Sequence, residues 1–259
     1  MIRLGLVGAN GRMGQAIIKL LVDKNFELFY AFVSNKNAVN QTILQYAKNY
    51  GSNLDFIKDV DVVIDFSNYI FSLKVLEYCK KYNKPVVIGT TGFNEEQLNY
   101  IKKLSNYIPI LQSPNMSISV NVLFKMAQIL AKDLQDFEVE ILESHHRNKK
   151  DSPSGTALKI GEIVANSRGF SLESQAIFNR SGRDVIRSKN DIGFSVIRGG
   201  DIVGKHELMF INDGEMLSLT SEITNRDTFA RGALIAADYI IKQKNGLYNM
   251  FDVISFINK

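Results

Sequence analysis

At 259 residues, with 45% hydrophobic and 22% charged residues, the chain is long enough for one large or two modest domains and has the composition of an ordinary globular protein. A net charge of +4, spread along the chain, fits acidic small molecules and does not require nucleic acid. The single cysteine, Cys79, excludes an intrachain disulfide and fits a reducing compartment. No apolar run reaches the roughly 18–20 residues that span a bilayer, and Met1 leads straight into a strand without a signal peptide, so a cytoplasmic protein is expected.

Residues 2–7 read as a short apolar strand. Gly8-Ala-Asn-Gly11-Arg-Met-Gly14 follows, and Gln15 to Val22 has helical periodicity. Strand, glycine turn, helix is the context of a dinucleotide fingerprint, in which the backbone approaches a pyrophosphate at a helix N-terminus. The spacing is G-x-x-G-x-x-G, with Asn10 at the usual second-glycine site, where it tolerates left-handed backbone better than most residues. Taken as structure alone, the same residues are a plain βα turn. The second strand, Glu27–Val33, ends in Ser34-Asn35-Lys36 and lacks the acid that binds the ribose hydroxyls in NAD sites. That absence removes repulsion against a 2′-phosphate, and Lys36 adds attraction, so NADPH is expected as a cofactor.

Residues 37–58 carry no clear pattern and are taken as helix or loop. Val60–Phe66 reads as a buried parallel strand. Ser67-Asn68 then caps a helix over 69–82, which carries Cys79 as a structural thiol. Pro85–Gly89 is the next strand. Thr90-Thr91-Gly92-Phe93 stands at its carboxyl end, where ligands bind in open α/β sheets, so Gly89, Thr90 and Thr91 should face the cofactor. A helix over 94–106 and a strand at Ile108–Gln112, ending in Ser113-Pro114-Asn115-Met116, complete a doubly wound parallel sheet.

After a long amphipathic helix at 117–134 the pattern changes. Strands at 137–145, 192–198, 201–211 and 214–223, with one helix at 155–168, predict an α+β domain with a mixed or antiparallel sheet. Residues 171–191 read as a loop. The helix Thr228–Lys242, with Asp227 near its N-cap, returns to the first domain. The expected division is a dinucleotide-binding domain of 1–116 and 227–259 around a substrate-binding and oligomerisation domain of 117–226.

The chemistry is expected between Glu143 and Leu158. Phe137 to Glu143 alternates apolar and acidic residues like a half-buried strand. His145, His146, Arg147, Lys149 and Lys150 follow, then an Asp151-Ser152-Pro153 turn, and Ser154-Gly155-Thr156 opens a helix. Imidazoles, cations and free N–H groups at a helix start suit a small polyanionic substrate. A solvated basic loop is the plain alternative. A nucleic-acid patch is disfavoured because no aromatic residue lies among these cations to stack on a base. No metal site is expected.

Five blocks in this order, Gly8–Gly14, Gly89–Phe93, Ser113–Met116, Glu143–Leu158 and Arg198-Gly-Gly-Asp-Ile-Val-Gly-Lys-His206, resemble the bacterial dihydrodipicolinate (4-hydroxy-tetrahydrodipicolinate) reductases of lysine and diaminopimelate synthesis. The likeness runs from residue 1 to about 240, and its most specific part is the His-His-Arg to Ser-Gly-Thr block. It implies a Rossmann-like domain plus a second α+β domain joined by hinges, and a homotetramer built through the second sheet. It also implies hydride transfer from NADPH or NADH to a cyclic dicarboxylate imine, without membrane or nucleic-acid partners. By position it implies cofactor contacts at Gly8, Ala9, Asn10, Gly11, Arg12, Met13, Gly89, Thr90, Thr91, Ser113, Pro114, Asn115 and Met116, with Ser34 at the end of the second strand. It implies His145 as general acid, Lys149 as its cationic partner, and substrate contacts at His146, Gly155 and Thr156, to which the helix start adds Ser154. His206 reads as structural. Ser34-Asn35 stand where the family often has an acid followed by Arg, and Asn148 stands where some members have a third histidine.

Two rivals remain at this stage. Another two-domain NAD(P) reductase of a small acidic substrate is one, although Cys79 on a helix is no covalent nucleophile. A non-catalytic nucleotide sensor is the other. It would keep the glycine turn but would not need His145, Lys149 and Ser154–Thr156 together.

Overall fold

The computed structural model describes residues 1–21, 25–35 and 39–257. Lys36, expected to attract a 2′-phosphate, and Val22, the expected helix end, lie outside the described residues. The chain forms two compact units, Met1–Ile118 with Arg226–Lys259, and Ser119–Asn225.

The first unit is built on a seven-stranded parallel sheet. Its strands are β1 (Ile2–Val7), β2 (Phe26–Phe32), β3 (Asn49–Gly51), β4 (Val62–Asp65), β5 (Val86–Ile88), β6 (Pro109–Gln112) and β12 (Gly246–Tyr248), in the order β12-β6-β5-β4-β1-β2-β3. Unbroken apolar runs such as Val62–Ile64 are buried on both faces, as a sheet covered on both sides requires. One face packs on α1 (Arg12–Leu20) and α8 (Asp227–Ile240), through Ile17, Ile18, Ala233 and Ala237. The other packs on α3 (Tyr69–Lys81) and α4 (Glu95–Leu104), through Val75, Leu76, Cys79 and Ile101. Each fully buried Leu or Ile contributes about 1.5–3 kcal/mol relative to exposure.

Asparagine starts several of these helices. The side chain of Asn40 accepts from Ile43 N–H at the start of α2 (Gln41–Tyr46), Asn68 accepts from Phe71, and Asn94 forms a capping box with Gln97, each satisfying backbone donors that the helix cannot. Cys79 is buried, and that burial pushes its thiol well up, so it is no nucleophile.

The second unit holds a five-stranded mixed sheet of β7 (Glu138–His145), β8 (Ala176–Ile177), β9 (Ile192–Arg198), β10 (Gly204–Asn212) and β11 (Glu215–Ile223), in the order β11-β10-β7-β9-β8. β7 runs antiparallel to β10 and parallel to β9. α5 (Ile118–Asp133) leads into this unit, and α6 (Gly155–Ser167) lies on the sheet, close enough that a Cβ on Gly161 would strike the Phe194 ring.

Several expectations need correction. Residues 37–58 contain α2, the short β3 and a 3₁₀ turn at Leu54–Asp59. The stretch 171–191 is not all loop, since α7 (Leu172–Gln175) and β8 lie within it. β8 and β3 pair over only two and three residues, too few to show a period. β12 and α9 (Met250–Ile257) extend the first unit beyond its expected last helix. α8 starts at Asp227 with Arg226 in the N-cap position.

Candidate active site

Within the first unit, the glycine turn shapes a cleft of about 230 Å³ lined by Gly8, Ala9, Asn10, Gly11 and Ser34, together with Phe32, Phe66, Ser67, Asn68 and Phe71. Gly8 has φ +84, and a Cβ there would strike the Phe66 carbonyl. The left-handed residue is therefore Gly8. Asn10 is not among the residues of positive φ, so the tolerance argued for it is not used. Gly11 N–H donates to the Gly8 carbonyl at 2.9 Å, and a Cβ on Gly14 would collide with the same carbonyl. Gly11 stands at the N-cap of α1 and makes no side-chain cap bond, and the first turn of a helix leaves N–H groups without an intrahelical partner. That cradle, which a Cβ would fill, fits a dinucleotide phosphate.

Of the other residues expected at a cofactor, Arg12 is exposed and Met13 packs half-buried against the core. Gly89 is fixed by packing, because a Cβ would enter the Phe66 ring that lines the cleft. Thr90 is buried and its hydroxyl reaches the Asp65 carbonyl at 3.4 Å, while Thr91 is exposed. Ser113 donates its hydroxyl to the Asn115 carbonyl at 2.7 Å. Pro114 is exposed, and Met116 is buried in the core, so its side chain is committed to packing. Asp65, at the end of β4, is wholly buried; burial raises its carboxyl above the usual range despite the Ser67 N–H on Oδ1.

In the second unit the sheet gathers a polar cluster on the face that α6 covers. Val139 and Ile141 point inward, and the period of two carries Glu143 and His145 to the same face. Register does the rest. His145 pairs with Arg198 across β9, and Glu143 with His206 across β10. Glu143 is 1% exposed. Its Oε1 accepts from Ser154 N–H at 2.9 Å and Arg198 Nη2 at 2.7 Å, and its Oε2 accepts from Arg198 Nη1 at 2.8 Å and meets His145 Nδ1 at 2.6 Å. Burial alone would raise this carboxyl, but the hydrogen bonds from His145, Arg198 and Ser154 outweigh it and hold it at about 2.

Ser154 caps α6. Its hydroxyl accepts from Ala157 N–H at 3.2 Å and pairs with His206 Nε2 at 3.0 Å. The hydroxyl expected to meet substrate is therefore already shared by a helix end and a buried ring. His206 sits against His145, ring centroids 5.1 Å apart and nearly perpendicular. Burial, then the neighbouring His145, pulls its imidazole down to about 4. His206 thus lies within the cluster as a buried residue paired with Ser154, consistent with its structural reading.

Lys149 grips the Asp151 carboxylate at 2.8 and 3.0 Å. Burial raises the Asp151 carboxyl, but Lys149 and the Gly155 N–H outweigh it and hold it below the usual range. The cation and the start of α6 therefore already accommodate one carboxylate. Gly155 is exposed, and Thr156 and His146 are half-buried. Arg147 and Lys150 are exposed.

Sequence reasoning gave no site role to Glu143, Asp151 or Arg198, although the first two lie in the stretch where the chemistry was expected, and it read His206 as structural. Extending the inward period from Val139 and Ile141 would have marked Glu143. Arg198 and His206 had only their place in one motif as a signal. In the cleft it missed Phe66, Ser67 and Asn68, which follow β4 at its carboxyl end. Among the described residues no group of His, Cys, Asp and Glu is arranged to hold a metal, and no helix is long and apolar enough to cross a membrane.

Two family models match: "Dihydrodipicolinate reductase, N-terminus" over residues 2–116 and "Dihydrodipicolinate reductase, C-terminus" over residues 119–254. A protein called 4-hydroxy-tetrahydrodipicolinate reductase from Buchnera aphidicola subsp. Cinara cedri is 42% identical, over 96% of this chain and 96% of its own length. One of the same name from Campylobacter concisus is 40% identical, over 97% of this chain and 98% of its own. Among solved structures, a dipicolinate-bound dihydrodipicolinate reductase from Paenisporosarcina sp. TG-14 shares the fold with a TM-score of 0.79 at 24% identity, covering 96% of this chain and 97% of that one. A scyllo-inositol dehydrogenase from Lactobacillus casei with bound NAD(H) and scyllo-inositol has a TM-score of 0.61 at 13% identity, covering 98% and 93%.

Proposed function

The chain belongs to the dihydrodipicolinate reductase family, and from that premise we propose that it reduces 4-hydroxy-tetrahydrodipicolinate, by way of dihydrodipicolinate, to tetrahydrodipicolinate in lysine and diaminopimelate biosynthesis. The observation that carries the reading is the His145 ring, held through Nδ1 by a buried carboxylate beside a cation and a helix start that already accommodate a carboxylate.

NADPH or NADH supplies the hydride, to ring C4 of the substrate, when bound. The first unit is the cofactor-binding domain. The Gly8–Gly11 turn and the start of α1 hold the pyrophosphate, and neutral Ser34 and Asn35 put no carboxylate against a 2′-phosphate, which favours NADPH. The second unit is the substrate-binding domain. Lys149 and the N–H groups opening α6 bind a substrate carboxylate in the place that Asp151 now takes, with His146 and Thr156 beside them. Charge that develops on the enamine is met by His145, which donates a proton from Nε2. Such general-acid help is worth roughly 10²–10⁴-fold in rate. The enzyme works in the cytoplasm as a homotetramer assembled through the second sheet. Ile197 and Met216, exposed on the face turned away from α6, suit that assembly.

The test is loss of NADPH absorbance with substrate made in the cuvette from pyruvate and aspartate semialdehyde by the upstream synthase, repeated with NADH and with His145→Gln. Oxidation that needs both the condensation product and His145 is expected, with the variant keeping its cofactor affinity. Near-normal kcat in His145→Gln would refute the acid assignment. Tight cofactor binding without turnover would favour a nucleotide sensor.

A further inference from the structure

We infer that Glu143 is a positioning residue: clamped by Arg198 and the Ser154 N–H, its carboxylate accepts the hydrogen bond from Nδ1–H of His145 and fixes the ring so that Nε2, over the gap left by Gly204, is the atom that delivers the proton. The inference rests on the proton-donor reading of His145.

The hydrogen-bond inventory carries it. An ionised carboxylate only accepts, and has about four acceptor positions. Arg198 takes two of them in a fork, Ser154 N–H a third and His145 Nδ1 the fourth, at 2.6–2.9 Å. Nothing in that arrangement lets Nδ1 act as an acceptor, so the neutral ring must carry its hydrogen on Nδ1 and its lone pair on Nε2. The planar fork of Arg198 matches the carboxylate in two bonds at once, which a lysine could not do. It holds the carboxylate in one plane, and through it the ring. On the ring's other edge, a Cβ at position 204 would come within 3.0 Å of Nε2. Glycine at the start of β10 therefore keeps that edge clear. His206, with Nε2 turned to Ser154, does not compete for Glu143.

A stabilising ion pair is a poor account of the same residues. Burying a carboxylate carries a desolvation penalty that its partners must offset, and apolar residues of similar volume often stabilise as well or better. What an apolar residue cannot supply is a defined hydrogen position on His145. Once a bound NADPH or NADH has supplied hydride, the His145 imidazolium Nε2–H bond would break as its proton passes to the substrate enamine, the bonding pair staying on Nε2. The imidazole is left neutral with Nδ1–H on Glu143, and a solvent proton restores Nε2–H. Glu143 stays ionised throughout.

The chain has three histidines, so ring ¹⁵N resonances of the histidine-labelled protein can be assigned with His145→Gln and His206→Gln. In the wild type at alkaline pH, His145 is expected as the Nδ1–H tautomer. Glu143→Gln is expected to release that preference and to lower kcat by about 10²-fold or more, with KM changed less than about 3-fold. Glu143→Asp, which keeps the charge, should restore the tautomer and part of the rate. An Nε2–H tautomer in the wild type overturns the inference, and that measurement needs no variant to fold. Wild-type kcat in Glu143→Gln, together with an inactive His145→Gln, overturns it too. Full turnover in His145→Gln sinks the proton-donor reading itself.

Discussion

Replacing Ser154 by alanine separates two roles for one hydroxyl. The oxygen caps α6 through Ala157 N–H and satisfies His206 Nε2. Loss of a serine cap costs about 1 kcal/mol, within a range of roughly 0.5–2. Losing the His206 partner strands a second ring nitrogen, since Nδ1 of that buried ring already has none among the described residues. A buried polar group left unpaired costs about 1–3 kcal/mol. Together the change should lower stability by about 2–4 kcal/mol, a large share of the roughly 5–15 kcal/mol that holds a typical domain folded. Urea unfolding followed by far-ultraviolet circular dichroism measures the loss, and hydrogen exchange of the α6 amides places it in the second unit. Ser154→Thr, which keeps the hydroxyl, should recover most of it. The backbone N–H on Glu143 survives the alanine change, so kcat should fall far less than in His145→Gln. Unchanged stability with a raised KM would refute this account and return the hydroxyl to the substrate.

Acid should weaken the second unit in two successive windows. His206 is held at about 4 against an ordinary 6.5, so the unfolded chain takes up the proton first. Its contribution is complete above 6.5 and is lost as pH falls toward about 4, a difference of about 3 kcal/mol. Glu143, held at about 2 against an ordinary 4.5, contributes stability that is complete above 4.5 and lost as pH falls toward 2. Urea midpoints across this range should show both slopes, and His206→Gln should flatten the first; a first slope that persists in that variant would contradict the assignment. Gly8→Ala forces a side chain into left-handed backbone, at about 1–2 kcal/mol, and against the Phe66 carbonyl. NADPH affinity measured by titration calorimetry should drop about 10-fold or more, and an unchanged Kd would show that the turn does not hold the pyrophosphate.

Sequence alone determined what rests on local regularity. Val62–Ile64 shows as a continuous apolar run, and the residues from Gln15 onward show the 3.6-residue helical period, patterns that a chain displays without knowing its partners. The Phe66 carbonyl that requires glycine at position 8 lies 58 residues on and left no local mark, whereas Gly14 answers to the Gly8 and Ala9 backbone close by; the turn itself was legible because its three glycines fall within seven residues, between a strand and a helix. The contiguous block from His145 to Thr156 was legible for the same reason. Tertiary structure alone decided what depends on pairing across the sheet. β3, β8 and β12 are strands because a neighbour pairs with their backbone, not because two or three residues carry a pattern. Arg198 and His206 stand 55 and 63 residues beyond Glu143, and strand register brings them to it. No spacing in the sequence encodes that register. It follows from which faces must be buried, and it is what turns a histidine in a basic stretch into a ring held by a buried carboxylate.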